Sequence, residues 1–443
     1  MKNIEILLKN DSAVQCATLD ASAVGAWLDK PEINVFVDPQ EEFQQFLGFG
    51  GSFSELGYKA LLSLGKEERE EVICKLFGKD ESGLNYCRIP IGANDFALDA
   101  YSPNDCQGDY SMEHFSLTRD KQYLIPFIKD AQKQRPELAI HACPWSPPGW
   151  MKEGGLMDQA AGHLKEDDKT LAAYAQYFVR FVEEYAALGI PIFRVLIQNE
   201  PDTKANFPGN YMPPHVMRRF FKEFLNPAMQ NCEIPCEVYA GTFRGSDSMW
   251  ANDVARDKDF LSAIDGFGFQ YTPPERLHDF IRVTDKPIMH TESNCYDGSN
   301  SWEQAFSLFV NFIGYVNSGC EIYTYWNMVL NEDALSSWGW KQNSLVTVNE
   351  ESGKTIYNPD YHVARLISRA ASGRRRVFSL CERRMTIAFK GADGDISVLM
   401  PNFVNHSTTV NLSIEGKILR VELPSNSANA IHLKKDGNEY ILK

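Results

Sequence analysis

Two glutamates carry the chemistry that this sequence is equipped for. Glu200 closes the run Ile197-Gln198-Asn199-Glu200, and Glu292 closes Met289-His290-Thr291-Glu292; both runs are apolar and strand-like before they end. Pro201 stops the first, and Asn199 places a hydrogen-bonding amide beside its glutamate. Two carboxylates delivered to one cleft suit cleavage of a glycosidic bond, one as acid and base, the other as nucleophile. A lone glutamate at a strand end is more often an ion-pair partner. The pairing, and the residues around it, favour catalysis.

A scaffold must bring those two ends together. Between Phe46 and Met328 the sequence carries eight apolar segments, at 46–52, 84–92, 138–146, 193–201, 236–243, 264–272, 286–293 and 321–328. Most are continuous apolar runs rather than strict alternations, as strands buried on both faces are. Helical patterns fill intervals between them, at 66–77, 121–134, 169–188, 214–229 and 301–318. Repeated β-then-α units predict an α/β chain folded as a (β/α)8 TIM barrel, with working residues where the strands end. Read in order, those ends supply Arg88 and Asp95, Trp145, Asn199 and Glu200, Tyr271, Glu292, then Trp326 and Asn327. That set suits a sugar: carboxylates for chemistry, aromatic faces for stacking, and Asn, Asp and Arg for hydroxyls.

The texture changes after a helix-like stretch at 361–371. Short strand-like pieces at 385–390, 396–403, 408–414, 418–423, 428–433 and 439–443 alternate with turn residues, which predicts a β-sandwich. The strand-like pieces at 4–9 and 33–37 have no place in the barrel and are expected to join that sheet. The division is therefore 1–45 (first strands of the sandwich), 46–373 (barrel) and 374–443 (remainder of the sandwich). The run Arg374-Arg375-Arg376 reads as a solvated boundary rather than a binding site.

Composition narrows the classes. With 44 Lys+Arg against 59 Asp+Glu, a net charge of −15 disfavours nucleic acid and anionic membrane surfaces as partners. No apolar run is long enough for a membrane span. The start lacks the apolar core and cleavage site of a secretory signal, so a cytoplasmic location is expected, or a secreted one if a signal has been removed. Ten scattered cysteines, with Cys232 and Cys236 the one close pair, read as reduced thiols without zinc spacing.

Several motifs together resemble a known family. Gly48-Phe49-Gly50-Gly51-Ser52-Phe53, Arg88-Ile89-Pro90, Asn94-Asp95-Phe96, Pro144-Trp145-Ser146-Pro147-Pro148-Gly149-Trp150-Met151-Lys152, Gln198-Asn199-Glu200-Pro201, Thr291-Glu292-Ser293 and Trp326-Asn327 occur in order. In order and spacing they resemble glycoside hydrolase family thirty, the family of the glucosylceramidases. The resemblance implies a barrel with a side β-sandwich built from both chain ends. It makes Glu200 the acid/base and Glu292 the nucleophile of a retaining mechanism, with the carboxyls about 5–5.5 Å apart. It also implies that Asn199 holds the sugar 2-hydroxyl, that Asp95 and Trp145 hold the far hydroxyls, that Tyr271 bonds the nucleophile and that Arg88 braces it. Neither a metal nor an organic cofactor is implied. Glu200, beside a negative charge, is expected to hold its proton through a raised pKa.

The stretch Asp333-Ala334-Leu335-Ser336-Ser337-Trp338-Gly339-Trp340 departs from the glucosylceramidases, as does Phe269-Gln270 before the tyrosine. The first borders the subsite for the C5 substituent, where Trp338 and Trp340 become candidate substrate contacts. The leading expectation is an exo-acting β-glucosidase of glucosylceramidase type, acting on a carbohydrate or glycoconjugate. Endo-β-1,6-glucanase, β-xylosidase and β-fucosidase are the alternatives among enzymes. A non-catalytic carbohydrate-binding protein is the alternative of another class.

Overall fold

The apolar runs pair in sequence order into a closed parallel barrel. Its strands are Gly48–Ser52, Tyr86–Pro90, Ala139–Cys143, Ile192–Leu196, Glu237–Phe243, Gly266–Gln270, Ile288–Glu292 and Cys320–Asn327. The structure, a computed structural model, describes residues 33–160, 162–245, 248–381, 385–437 and 439–442, with the strands Ile4–Lys9, Val14–Leu19 and Ser22–Ala23. Residues 1–3, 10 and 443, which fall in or beside predicted strands, lie outside that description.

Burial on both faces explains the unbroken apolar runs: every position of Gly266–Gln270 and of Ile288–Glu292 is buried. The glycines of the first strand are there for closeness, not for phosphate. A Cβ on Gly50 would lie 1.6 Å from the carbonyl oxygen of Tyr86, and one on Gly51 would lie 2.3 Å from Cγ of Met328. On the outward side of the seventh strand, His290 stacks on Tyr323 with ring centroids 3.7 Å apart, a packing role as its position in the strand suggests.

The fourth strand ends sooner than its sequence predicts, at Leu196. The chain nevertheless stays docked. Ile197, Gln198 and Glu200 donate their amides to the carbonyls of Tyr239, Gly241 and Thr242 on the fifth strand, while Asn199 turns the other way to Pro144. Glu200 therefore rides on an irregular extension, not on the strand itself.

Helices Lys66–Phe77, Leu124–Gln134, Asp168–Ala187 and Trp302–Asn317 fall where the pattern places them. The stretch 214–229 becomes Pro214–Arg219, a π-helical turn Phe220–Leu225, and Asn226–Gln230. Shorter helices, Glu55–Leu62, Ser248–Ala255, Lys258–Ala263 and Pro274–Phe280, are additional.

The second body is one eleven-stranded sheet. Ile33–Phe46 lies within it, antiparallel to Arg374–Cys381 and parallel to Thr408–Ile414, and Ile4–Lys9 pairs with Ser427–Asp436. Both chain ends thus contribute. Val35, Val377, Val398, Leu412, Val421 and Leu433 from across its width share one core, so the sheet closes on itself as a sandwich. The arginine run departs from expectation: it opens a paired strand. Arg375 meets Glu42 at 3.5 Å, and the Arg376 guanidinium lies 3.7 Å over the Phe43 ring. Arg374 turns elsewhere, its Nη1 donating to the Asp395 carbonyl at 3.3 Å.

Candidate active site

Arg88, on the second barrel strand, has no solvent exposure, and its guanidinium forks across the barrel mouth. Nη1 donates to Glu292 Oε2 at 2.7 Å and to the Thr291 carbonyl at 3.1 Å; Nη2 donates to Asn199 Oδ1 at 2.7 Å. A buried cation demands such compensation. Its faces are compensated too. The guanidinium carbon lies 4.3 Å from the Trp145 ring centroid, and Trp145 stacks on Trp326 at 5.3 Å. Both indoles are almost wholly buried, so they pack against each other and against the arginine more than they offer a free stacking face.

Glu292 is held from two sides. Besides Arg88, the Tyr271 hydroxyl donates a short hydrogen bond to Oε1. Burial pushes the Glu292 carboxyl up to about 7, with Glu200 adding to the rise while Arg88 and Tyr271 oppose it. The rise on Glu292 was not foreseen from the sequence; it follows from enclosing that carboxyl at the strand end.

Glu200 is met by donors. Gln270 Nε2 donates to Oε1 at 3.1 Å, the Thr203 hydroxyl donates to Oε2 at 3.0 Å, and Arg244 Nη1 lies 3.4 Å from Oε2. Arg244 is anchored by Asp202, its Nε 2.8 Å from Oδ1. Glu200 and Tyr271 both adopt left-handed backbone, with φ of +43° and +53°. Non-glycine residues hold that conformation only where surroundings impose it, and such positions cluster at functional sites. Consecutive residues of the sixth strand end, Gln270 and Tyr271, therefore grip one glutamate each.

Asn199 has its Oδ1 engaged by Arg88 and by the Thr242 hydroxyl at 3.0 Å, so its amide nitrogen is the end that can serve a ligand. The Asp95 carboxyl is raised well above the usual range, by burial first and then by the nearby charges of Glu292 and Glu200. It shares the cleft with both.

The loop after the eighth strand folds back over the mouth. Ser337 Oγ donates to the Ala97 carbonyl at 2.5 Å, Trp338 Nε1 donates to Asp158 at 3.2 Å, and the Trp340 ring lies 5.2 Å from Phe207. Trp338 and Trp340 are half-buried, and Ser337 beside them ties the loop to the turn that carries Asp95. Asn327 reaches the same loop through Gln342 at 2.9 Å.

Thr203, Thr242 and Arg244 were not singled out from the sequence, and Gln270 stood out only as part of a departure from the glucosylceramidases, not as a site residue. Arg244 was within reach of the same strand-end argument, since it directly follows the fifth strand. Among the described residues, no group of three or more His, Cys, Asp or Glu side chains is placed to hold a metal ion, and no helix is long and apolar enough to cross a membrane. Nine cysteines are described, all as free thiols, Cys232 and Cys236 included.

A (β/α)8 barrel bearing a buried, arginine-held glutamate at the end of its seventh strand and a second glutamate beyond its fourth has the architecture of a glycoside hydrolase. Residues 46–350 match the model of the glycosyl hydrolase family 30 TIM-barrel domain, and the chain belongs to that family. A Caenorhabditis elegans protein provisionally named glucosylceramidase 3 is 28% identical over 382 residues, covering 80% of this chain and 72% of its own. The crystal structure of SrfJ from Salmonella typhimurium superposes with a TM-score of 0.90 at 21% identity, covering 98% of this chain and all of its own. The endo-beta1,6-glucanase BT3312 does so at 0.86 and 22%, with the same coverage.

Proposed function

We propose that the chain is a retaining β-glycosidase, with Glu292 as nucleophile and Glu200 as acid/base. The observation that carries this reading is the unequal treatment of the two carboxyls. Arg88 and Tyr271 grip both oxygens of Glu292, which suits a group that must be charged and aimed at an anomeric carbon. Glu200 instead meets Thr203 and the partly exposed Arg244 at its Oε2, contacts that suit a group exchanging a proton with a leaving group and with water. In the first displacement Glu292 attacks and Glu200 gives its proton to the leaving oxygen. In the second, Glu200 takes a proton from water, which displaces Glu292 and restores the β configuration.

Within that class we favour an exo-acting β-glucosidase of glucosylceramidase type. The loop 331–343 supports it by spanning from Ala97, beside Asp95, to Phe207, on the segment that follows Glu200, and so walling part of the cleft. The likeness to a glucanase structure keeps endo-β-1,6-glucanase as the second reading.

Proton NMR during early turnover of an aryl β-glucoside should show the β anomer first; an initial α product would refute the retaining reading. Glu292→Gln should lose several orders of magnitude in kcat while remaining folded. Faster release of oligosaccharides from linear β-1,6-glucan than of glucose from aryl β-glucoside would favour the glucanase.

A further inference from the structure

The side chain of Gln270 is fully buried and touches both halves of the site. Its Oε1 lies 2.9 Å from Oγ1 of Thr291, the residue before Glu292. Its Nε2 donates to Glu200 Oε1 at 3.1 Å and lies 3.4 Å from Asn199 Oδ1. The orientation of this amide is dictated by its neighbours. Reversed, its carbonyl oxygen would face two further oxygens, those of Glu200 and Asn199, and two donor hydrogens would be wasted on a hydroxyl.

We propose that Gln270 is a positioning residue for the acid/base, fixing Glu200 Oε1 as a hydrogen-bond acceptor so that the transferable proton is carried on Oε2. This rests on the reading of Glu200 given above. A carboxylic acid has one proton, and an amide N–H can only donate; the unprotonated oxygen is the better acceptor, so the closer N–H, that of Gln270 at 3.1 Å, favours Oε1 as the unprotonated one. Oε2 has the surroundings a mobile proton needs. The Thr203 hydroxyl can turn to accept it, and the Arg244 N–H, at 3.4 Å the longest of the side-chain contacts to Glu200, competes with it least while its charge favours giving it up. Thr291 ties this arrangement to the nucleophile's strand, so the amide also keeps the two carboxyls in register. After proton transfer the same N–H stabilises the carboxylate that activates water.

The test compares two leaving groups on the sugar the enzyme prefers. An alkyl β-glycoside needs protonation to depart, whereas a 2,4-dinitrophenyl β-glycoside does not. Gln270→Met keeps the length and removes both polar ends. It should lose about tenfold or more in kcat/KM on the alkyl glycoside and stay within about threefold on the dinitrophenyl one. The basic limb of its pH–rate profile should move up, because a donor to the carboxylate is gone. The charged and titratable groups facing Glu200 stay in place in this variant: Arg244 and Asp202 outside, and Glu292, Asp95, Tyr271 and Arg88 within.

Equal losses on both substrates, or no loss on either, would overturn the proposal. Gln270→Glu preserves the shape and decides the matter if the methionine variant does not fold. A like charge beside Glu200 should move the basic limb up, and an unmoved limb counts against a positioning role. Glu200→Gln, run on the same two substrates, separates the premises. Leaving-group dependence there but not at Gln270 defeats this proposal alone; equal losses there defeat the acid/base reading and this proposal with it.

Discussion

At the scale of single residues, the site is a contest over where charge can sit. Burial raises the Glu292 carboxyl to about 7, against the pull of Arg88 and the Tyr271 hydroxyl. A nucleophile must be ionised, so on the proposed role of Glu292 activity should be lost as pH falls through that value. We expect the acidic limb of kcat/KM, which reports the free enzyme, to lie near 7 instead of near the ordinary glutamate value of 4.5. Tyr271→Phe removes a donor to the charged form and should move that limb higher still. A limb between 4 and 5 in the unmodified enzyme would mean that water reaches Glu292 far better than its burial implies. The two glutamates were legible in the sequence because each ends an apolar run. Their grips were harder to read. Gln270 and Thr203 are common polar residues whose role depends on which atom faces which, and no spacing along the chain carries that. Arg244 depends on Asp202, forty-two positions earlier in the chain, for its orientation.

At the scale of elements, legibility followed length and burial. The eight barrel strands could be read because burial on both faces leaves an unbroken apolar run. The helices Lys258–Ala263 and Pro274–Phe280 span fewer than two turns or about two turns, too short for a face to declare itself. The strand Arg374–Cys381 was hidden by its charges, those of Arg375 and Arg376 being met by Glu42 and Phe43 on the neighbouring strand. The loop 331–343 is where sequence and structure contribute most unequally. Its residues suggested only a wall, whereas its contacts with Ala97, Asp158 and Phe207 show which neighbouring loops it spans. A site that hydrogen-bonds a hydroxymethyl group penalises a sugar lacking one. The unmodified enzyme should therefore prefer aryl β-glucoside to aryl β-xyloside. Trp338→Ala frees the loop from Asp158 and should shrink that preference by raising KM for the glucoside. Asp158→Ala should do the same without touching the loop's aromatics. Equal or better β-xyloside hydrolysis by the unmodified enzyme would overturn the glucose assignment and leave the two-glutamate mechanism standing.

At the scale of the whole molecule, folding and catalysis make opposite demands on protons. Besides Glu292, the barrel buries Asp120, raised to about 6 though Tyr101 and Tyr185 donate to it, and Asp360, raised to about 7 with Tyr325 as its partner. Burial is the largest cause at all three. A carboxyl whose folded pKa exceeds its unfolded one binds its proton more tightly in the native state. Its contribution to stability is fully present below the unfolded value, near 4, and is lost as pH rises towards 7. Surface carboxylates such as Asp257, lowered by Lys222, act in the opposite direction, but they are solvated and screened. The melting temperature should therefore decline between about pH 4 and pH 7, over the range in which ionisation of Glu292 brings activity in. Asp360 separates the two effects, because it lies in the first turn of the helix Pro359–Ala371 and outside the proposed catalytic contacts. Asp360→Asn keeps the acceptor for Tyr325 and cannot ionise, so its melting curve against pH should be flatter across that window while its pH–rate profile is unmoved. Glu292→Gln should flatten the stability curve as well, with activity gone. A melting temperature that rises steadily from pH 4 to 7 in the unmodified enzyme, or an Asp360→Asn curve parallel to it, would show that the surface ion pairs, and not the buried acids, govern how this protein responds to pH.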